Sequence, residues 1–139
     1  MSDFPDPHIW LAHRVAHEET DAYGVLYHAK YFHIFEQGSS EFMRTHSLGY
    51  SEMERRDLYL PVHEAGCRCH AAARYDDLFW LKVGIGKWGR ASLRFLYELW
   101  DEGRTSLLAT GFTQHATVNP AGDIVPVPSW LRRLGRLQS

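Results

Sequence analysis

One helical stretch followed by an unbroken series of strand-period segments limits the folds open to this chain more than any other feature. From Tyr31 the apolar or small residues Ile34, Phe35, Gly38 and Phe42 recur at helical spacing, and Gly49 follows as a stop signal. The pattern predicts a helix over about 29–48. Gly38-Ser39-Ser40 in its middle are poor helix formers, but small side chains let a helix axis lie close against a sheet. Downstream, Leu93, Phe95, Tyr97 and Leu99 alternate with Arg94, Leu96, Glu98 and Trp100, the period-two pattern of a strand with a buried face. Further strands are expected over 9–18, 59–64, 67–75, 78–85 and 105–118. Asp76-Asp77, Asp101-Glu102-Gly103-Arg104 and Asn119-Pro120-Ala121-Gly122-Asp123 read as the turns between them. The polar 51–57 segment reads as a short helical or irregular link, and Trp130 to Arg136, after two prolines, reads as a short terminal helix. One helix and several consecutive antiparallel strands make an α+β pattern in which the sheet can wrap around the helix.

The size allows one core and one domain: 139 residues is short for two. With 45% hydrophobic and 14% aromatic residues, the chain can pack that core. A formal net charge of -2 supplies no global attraction to nucleic acid or an anionic membrane, and the aromatic positions follow strand or helix periods instead of forming a basic stacking platform. No apolar run is long enough to span a bilayer, and the N-terminal residues lack a basic start and apolar core, so the expected compartment is the cytoplasm. Cys67 and Cys69 stand two apart in an expected strand and read as buried free thiols. Nine histidines raise the question of a metal. His13 and His17, however, would lie about 13 Å apart in a strand, and His28 and His33 fall on different helix faces, so no metal site is expected.

Chemistry concentrates just before the helix. Asp21 sits in a turn containing Gly24, and the helix opens after Tyr27 or His28, neither of which caps well with its side chain. The opening backbone N–H groups therefore have no obvious local partner and suit a ligand oxygen that gains negative charge. Two helix acids, Glu36 and Glu41, form a competing set, with solvated or ion-paired roles as the plainer account.

The residues Asp21-Ala22-Tyr23-Gly24-Val25-Leu26-Tyr27-His28-Ala29-Lys30-Tyr31, preceded by Thr20, resemble the T-D-A-x-G-V-x-Y-H-x-x-Y signature of hotdog-fold acyl-CoA thioesterases. The particular likeness is to the 4-hydroxybenzoyl-CoA thioesterase and Tol-Pal-associated type. Leu60-Pro61-Val62 with Glu64-Ala65, Ala73-Arg74-Tyr75-Asp76-Asp77, Gly89-Arg90-Ala91-Ser92-Leu93 and Gly111-Phe112-Thr113 follow in the family's order. The resemblance implies one domain in which an antiparallel sheet of about five or six strands wraps a long central helix. It also implies a homodimer, or a tetramer of dimers, with active sites between subunits.

The reaction it implies is hydrolysis of an acyl-CoA to a carboxylic acid and free coenzyme A, with no cofactor apart from the coenzyme A of the substrate. Asp21 takes the role of general base on water or of nucleophile forming a mixed anhydride. Gly24, Tyr27 and His28 supply the turn and the oxyanion elements. The His28 backbone N–H polarises the carbonyl, and its imidazole orients water or the leaving thiolate. Tyr23 stands where many relatives have a second glycine and so bears on the shape of the acyl pocket. Lys87, Arg90 and Arg94 flank the Gly89 turn, where relatives place basic side chains against the nucleotide phosphates; Arg132, Arg133 and Arg136 are a second basic set. Phe32, Phe35 and Trp88 are candidates to line the acyl site. Two alternatives share the motif: a thioesterase acting on an acyl-carrier protein, and a hotdog protein that binds acyl-CoA without turnover.

Overall fold

The computed structural model describes residues 3–136. Five strands form one antiparallel sheet in the order β1-β3-β4-β5-β2. They span His8–Arg14 (β1), Val62–Cys69 (β2), Leu78–Trp88 (β3), Ser92–Trp100 (β4) and Leu107–Ala116 (β5). The helices are α1 (His28–Thr45), α2 (Tyr50–Arg55) and α3 (Ser129–Arg136). The helix lies across the inner sheet face, as expected of a hotdog.

Alternation decides which face is covered. On β4, Leu93, Phe95, Tyr97 and Leu99 are buried while their neighbours are half-exposed; on β3, Phe79, Leu81, Val83 and Ile85 are buried with them. Against this surface α1 turns Tyr31, Ile34, Phe35, Gly38, Phe42 and Met43. Two glycines bring helix and sheet together. A Cβ at Gly38 would stand 2.5 Å from a Leu81 methyl and 2.9 Å from a Val83 methyl, and one at Gly111 would overlap the Phe35 ring. Gly38 is therefore a contact point, which outweighs its poor helix propensity.

The structure moves several expected boundaries. Strand β1 stops at Arg14 because Val15 and Asp76–Asp77 exchange backbone bonds, and a short 3-10 turn, His17–Glu19, follows. The two strands expected over 59–64 and 67–75 are one strand, β2. Gly66, between the two expected strands, lies within β2 under the Phe112 ring. Residues 73–75 do not extend it, because Ala73 and Arg74 pair with Leu26 and Val25 of the motif turn. Strand β3 continues to Trp88 through a register shift between Ile85 and Lys87. The 51–57 link contains α2. The expected turns form as aspartate and asparagine chemistry dictates: Asp101 Oδ1 accepts from the Thr105 and Ser106 N–H groups, and Asn119 Oδ1 from those of Ala121 and Asp123. Among the described residues no helix is long and apolar enough to cross a membrane.

The cysteines depart from expectation in burial. Cys69 is exposed and Cys67 half-buried, two free thiols in hydrogen-bond contact with their sulfurs 3.9 Å apart. Burial, with the neighbouring Cys69 thiol, pushes Cys67 up to about 12, so it stays a protonated thiol and not a nucleophile.

Candidate active site

The turn ahead of α1 is built around the Asp21 carboxylate. Its Oδ1 accepts from the Tyr23 N–H at 2.8 Å and, more weakly, from that of Val25 at 3.4 Å. Gly24, at φ +76, donates to the Asp21 carbonyl, and the Asp21 N–H donates to the Val25 carbonyl. Positive φ is where glycine is at home, which explains Gly24 in a tight loop. The second carboxylate oxygen, Oδ2, takes no part in these bonds.

Backbone bonds sew the turn to the rest of the molecule. Leu26 donates to the Ala73 carbonyl, Tyr75 to that of Gly24 and Tyr27 to that of Glu19. Two of the sequence segments singled out above, 21–31 and 73–77, thus form one unit. Glu19 buttresses it from below, accepting from His13 Nε2 at 2.9 Å and from the Ala16 N–H at 2.8 Å. Burial alone would raise the Glu19 carboxyl, but these bonds outweigh it and hold Glu19 below its ordinary value. His13 and Glu19 are a structural pair, and His17 packs edge-on against Tyr75 instead of facing His13.

Helix α1 opens at His28 with Tyr27 as its N-cap, and no side chain caps it. The Lys30 N–H turns back to the Tyr27 carbonyl, while those of His28 and Ala29 make no hydrogen bond among the described residues. Two amides therefore stand free at the positive end of an 18-residue helix, seven and eight positions after Asp21. The His28 ring is exposed and packs against Tyr27 at 4.4 Å between centroids. Tyr23 projects outward, 86% exposed.

One turn further along α1 a cavity of about 810 Å3 begins at Phe32. It runs between α1, α2, the start of β2 and the 118–122 turn, with Met43, Met53 and Leu58 among its apolar walls. Its size falls within the roughly 300–1,000 Å3 common for small-molecule sites. Asp21 and His28 do not line it; Glu36 does, and so do Ser39, Thr113 and His115. The last two belong to a buried relay. Tyr97 Oη lies 2.7 Å from Thr113 Oγ1, which lies 2.8 Å from His115 Nε2, and His115 Nδ1 is 2.8 Å from the Leu60 carbonyl.

The sequence reading passed over this relay. Its signal was present: Thr113 and His115 occupy inward positions of β5 in register with Phe95 and Leu93, where an alternating strand should carry apolar residues.

The basic residues fall elsewhere. The motif turn lies at the Leu78 end of β3, whereas Lys87 is near the other end, about 30 Å away at strand rise. Lys87 and Arg90 are exposed, and their side chains make no ion pair or hydrogen bond among the described residues. Arg94 is already engaged: its guanidinium lies 4.1 Å over the Phe112 ring, its Nε donates to Gln114 at 2.6 Å, and Glu64 is 3.9 Å away. Arg132 donates to the Gly89 carbonyl, Arg133 is exposed, and the Arg136 side chain lies outside the described residues. Among the aromatics, Phe32 lines the cavity, Phe35 is core, and Trp88 packs against Gly135 of α3.

Burial holds His115 below the ordinary histidine value against the opposing bond to the Leu60 carbonyl, and burial does the same to His46. The unfolded chain, titrating near pH 6.5, therefore binds these protons first, and stability is lost as pH falls below about 6.5 toward the lower folded values. Thermal melts at about pH 7.5 and 5.5 should show the lower midpoint at the acid value. A His115→Gln chain should narrow that difference.

A family model described as Thioesterase-like superfamily matches residues 15–134. The protein named Acyl-CoA thioesterase YbgC from Haemophilus influenzae is 31% identical over 117 residues, covering 82% of this chain and 82% of that protein. Among solved structures, a hypothetical protein from Aquifex aeolicus superposes with a TM-score of 0.84 at 29% identity, covering 91% of this chain and 98% of that one. A 1,4-dihydroxy-2-naphthoyl-CoA thioesterase from Synechocystis gives 0.83 at 20% identity over 95% and 98% of the two chains, a likeness of fold.

Proposed function

The chain belongs to the thioesterase-like superfamily, and from that premise we propose that it is an acyl-CoA thioesterase in which Asp21 and the first amides of α1 carry out the hydrolysis. The observation that carries this reading is the division of labour within one carboxylate. Oδ1 is pinned by two backbone amides, which fixes the group, while Oδ2 is left for chemistry just ahead of two unpartnered helix N–H groups.

In this reading the thioester carbonyl oxygen accepts from the His28 and Ala29 amides, which stabilise it as negative charge develops. Asp21 Oδ2 either takes a proton from water as the water attacks the carbonyl carbon, or attacks that carbon itself to give an anhydride that water then opens. Either route expels the coenzyme A thiolate. The acyl chain runs along α1 from Phe32 into the cavity, where Met43, Met53 and Leu58 offer apolar wall.

Of the basic residues that flank the Gly89 turn, Lys87 and Arg90 are exposed and without a side-chain partner among the described residues, yet they lie near the far end of β3 from the motif turn, about 30 Å along the strand. This supports a site completed by a second copy. The outer edge of β2, where Val62 is 52% exposed, is the sheet edge open for such pairing, so we place the protein as a homodimer or a tetramer of dimers. The free thiols of Cys67 and Cys69 fit the reducing cytoplasm.

The test is thiol release from a panel of acyl-CoA substrates and from the same acyl groups on a carrier protein, read together with the solution mass. Faster release from acyl-CoA is expected, with a KM that rises with salt as the cations are screened. Release from the carrier-bound substrates alone would overturn the coenzyme A assignment. Absence of release from every substrate would overturn the enzyme.

A further inference from the structure

The histidine spacings that argue against a metal site leave a second donor set untouched. From the placement of Cys67 and Cys69 we infer that the two thiols together hold a soft monovalent cation, Cu(I), at the edge of the sheet.

Strand register puts both thiols on one face. Cys67 pairs with Gly111 and Cys69 with Ala109, and both partners face α1: Ala109 is fully buried, and Gly111 lies under the Phe35 ring. The side chains therefore project toward the helix from positions two apart on β2, with their sulfurs 3.9 Å apart. Tyr31, buried on α1, stands against the pair; burial, with the Cys69 and Cys67 thiols, holds its phenol above the ordinary tyrosine value. Cys69 is exposed, so an ion reaches the pair from solvent on that side. Pairing of a second copy along β2 engages backbone N–H and C=O groups and does not consume these side chains.

Distance selects the chemistry. A disulfide would need the sulfurs about 2.05 Å apart on residues whose Cα atoms lie roughly 6.7 Å apart at strand rise, near the limit of its reach. A metal ion needs no such closure. With each sulfur about 2.3 Å from the ion, a 3.9 Å separation sets the S–metal–S angle at about 116°, close to that of a three-coordinate centre.

The donor count then selects the ion. A structural Zn(II) takes four protein ligands. Among the described residues no group of three or more His, Cys, Asp or Glu side chains is placed to hold a metal, so two sulfurs are what this pair offers. Cu(I) is soft, favours thiolate and is satisfied by two or three such donors, the third being a small thiol from solution on the exposed side of Cys69. Binding forms two Cu–S bonds and releases one proton from each thiol; the copper stays Cu(I) and nothing is oxidised. Two thiols packed as small apolar groups is the plainer account of the same contact, and it gives no preference between Cu(I) and Zn(II).

The experiment titrates the full chain, reduced and kept free of oxygen, with Cu(I) buffered by a colorimetric chelator of known affinity, and in parallel with Zn(II). One Cu(I) per chain is expected, bound at least about tenfold more tightly than Zn(II). X-ray absorption on the wild-type protein should show a shell of two or three sulfurs, and bound Cu(I) should protect both thiols from alkylation. Cys67→Ser and Cys69→Ser should each weaken binding by at least about tenfold, since either leaves a single thiolate. Cys69 is exposed, so its variant keeps the fold even where Cys67→Ser does not. Failure to bind Cu(I), equal affinity for Zn(II), a shell without sulfur, or binding that survives Cys69→Ser overturns the inference. None of these measurements involves hydrolysis, so the site stands or falls separately from the thioesterase reading.

Discussion

Asp21→Asn lowers kcat for acyl-CoA hydrolysis by about 10^2- to 10^4-fold and changes KM by less than about threefold. Asparagine keeps an oxygen where Oδ1 accepts from Tyr23 and Val25, so the turn and the helix entry persist. What it removes is the second carboxylate oxygen, replaced by an amide that neither takes a proton nor attacks a carbonyl. Thiol-release kinetics measure the loss, and an unchanged melting temperature shows that the fold is not its cause. Asp21→Ala should cost stability as well, since two backbone N–H groups then lose their acceptor. The competing acid is Glu36, which lines the cavity floor's rim on α1. If Asp21→Asn retains full activity and Glu36→Gln abolishes it, the catalytic carboxylate lies on the helix and the assignment to the turn is wrong.

Phe35→Ala should cost about 3–5 kcal/mol, out of the roughly 5–15 kcal/mol by which domains of this kind are stable. Its ring is fully buried, stacks on Tyr97 with centroids 4.3 Å apart and planes 7° apart, and lies over Gly111, where no side chain fills in beneath. Truncation leaves a void that the glycine cannot close. A fall in melting temperature of about 10–20 °C is expected, with a lower denaturant midpoint at unchanged slope. Phe32→Ala is the contrast. That ring is 38% exposed at the cavity mouth, so its loss should hardly move the melting temperature while altering acyl preference. Equal destabilisation by the two variants would contradict the packing described.

The helix and the strand alternation were legible because each is a local periodicity that burial enforces. Phe35, Gly38 and Phe42 on α1 and Leu93 to Leu99 on β4 bury as their spacing requires. The uncapped start of α1 was legible for a different reason: neither Tyr27 nor His28 offers a short oxygen to the backbone. The continuity of β2 through Gly66 was not legible, because only the partner strand reveals the Phe112 ring lying across that glycine. Residues 73–75 misled because their β-like composition serves pairing to the motif turn and not to the sheet. The basic residues near Gly89 were placed by likeness to relatives. Only the course of β3 shows that Lys87 and Asp21 lie at opposite ends of one chain. The polar Thr113 and His115 at inward positions of β5 marked the place of the relay, but its bonds to Tyr97 on the neighbouring strand exist only in register.

The close seating of α1 at Gly38 and Gly111 has an evolutionary consequence. The helix is anchored where it crosses β3 and β5, by contacts at Gly38 and Gly111 that do not involve the flank facing α2. Substitutions at Met43, Met53 or Leu58 can therefore reshape the chamber while leaving the Asp21 turn in place. Descendants of such a scaffold are free to drift from one acyl group to another by changing wall residues alone, and diversification of diet need not pass through a loss of chemistry.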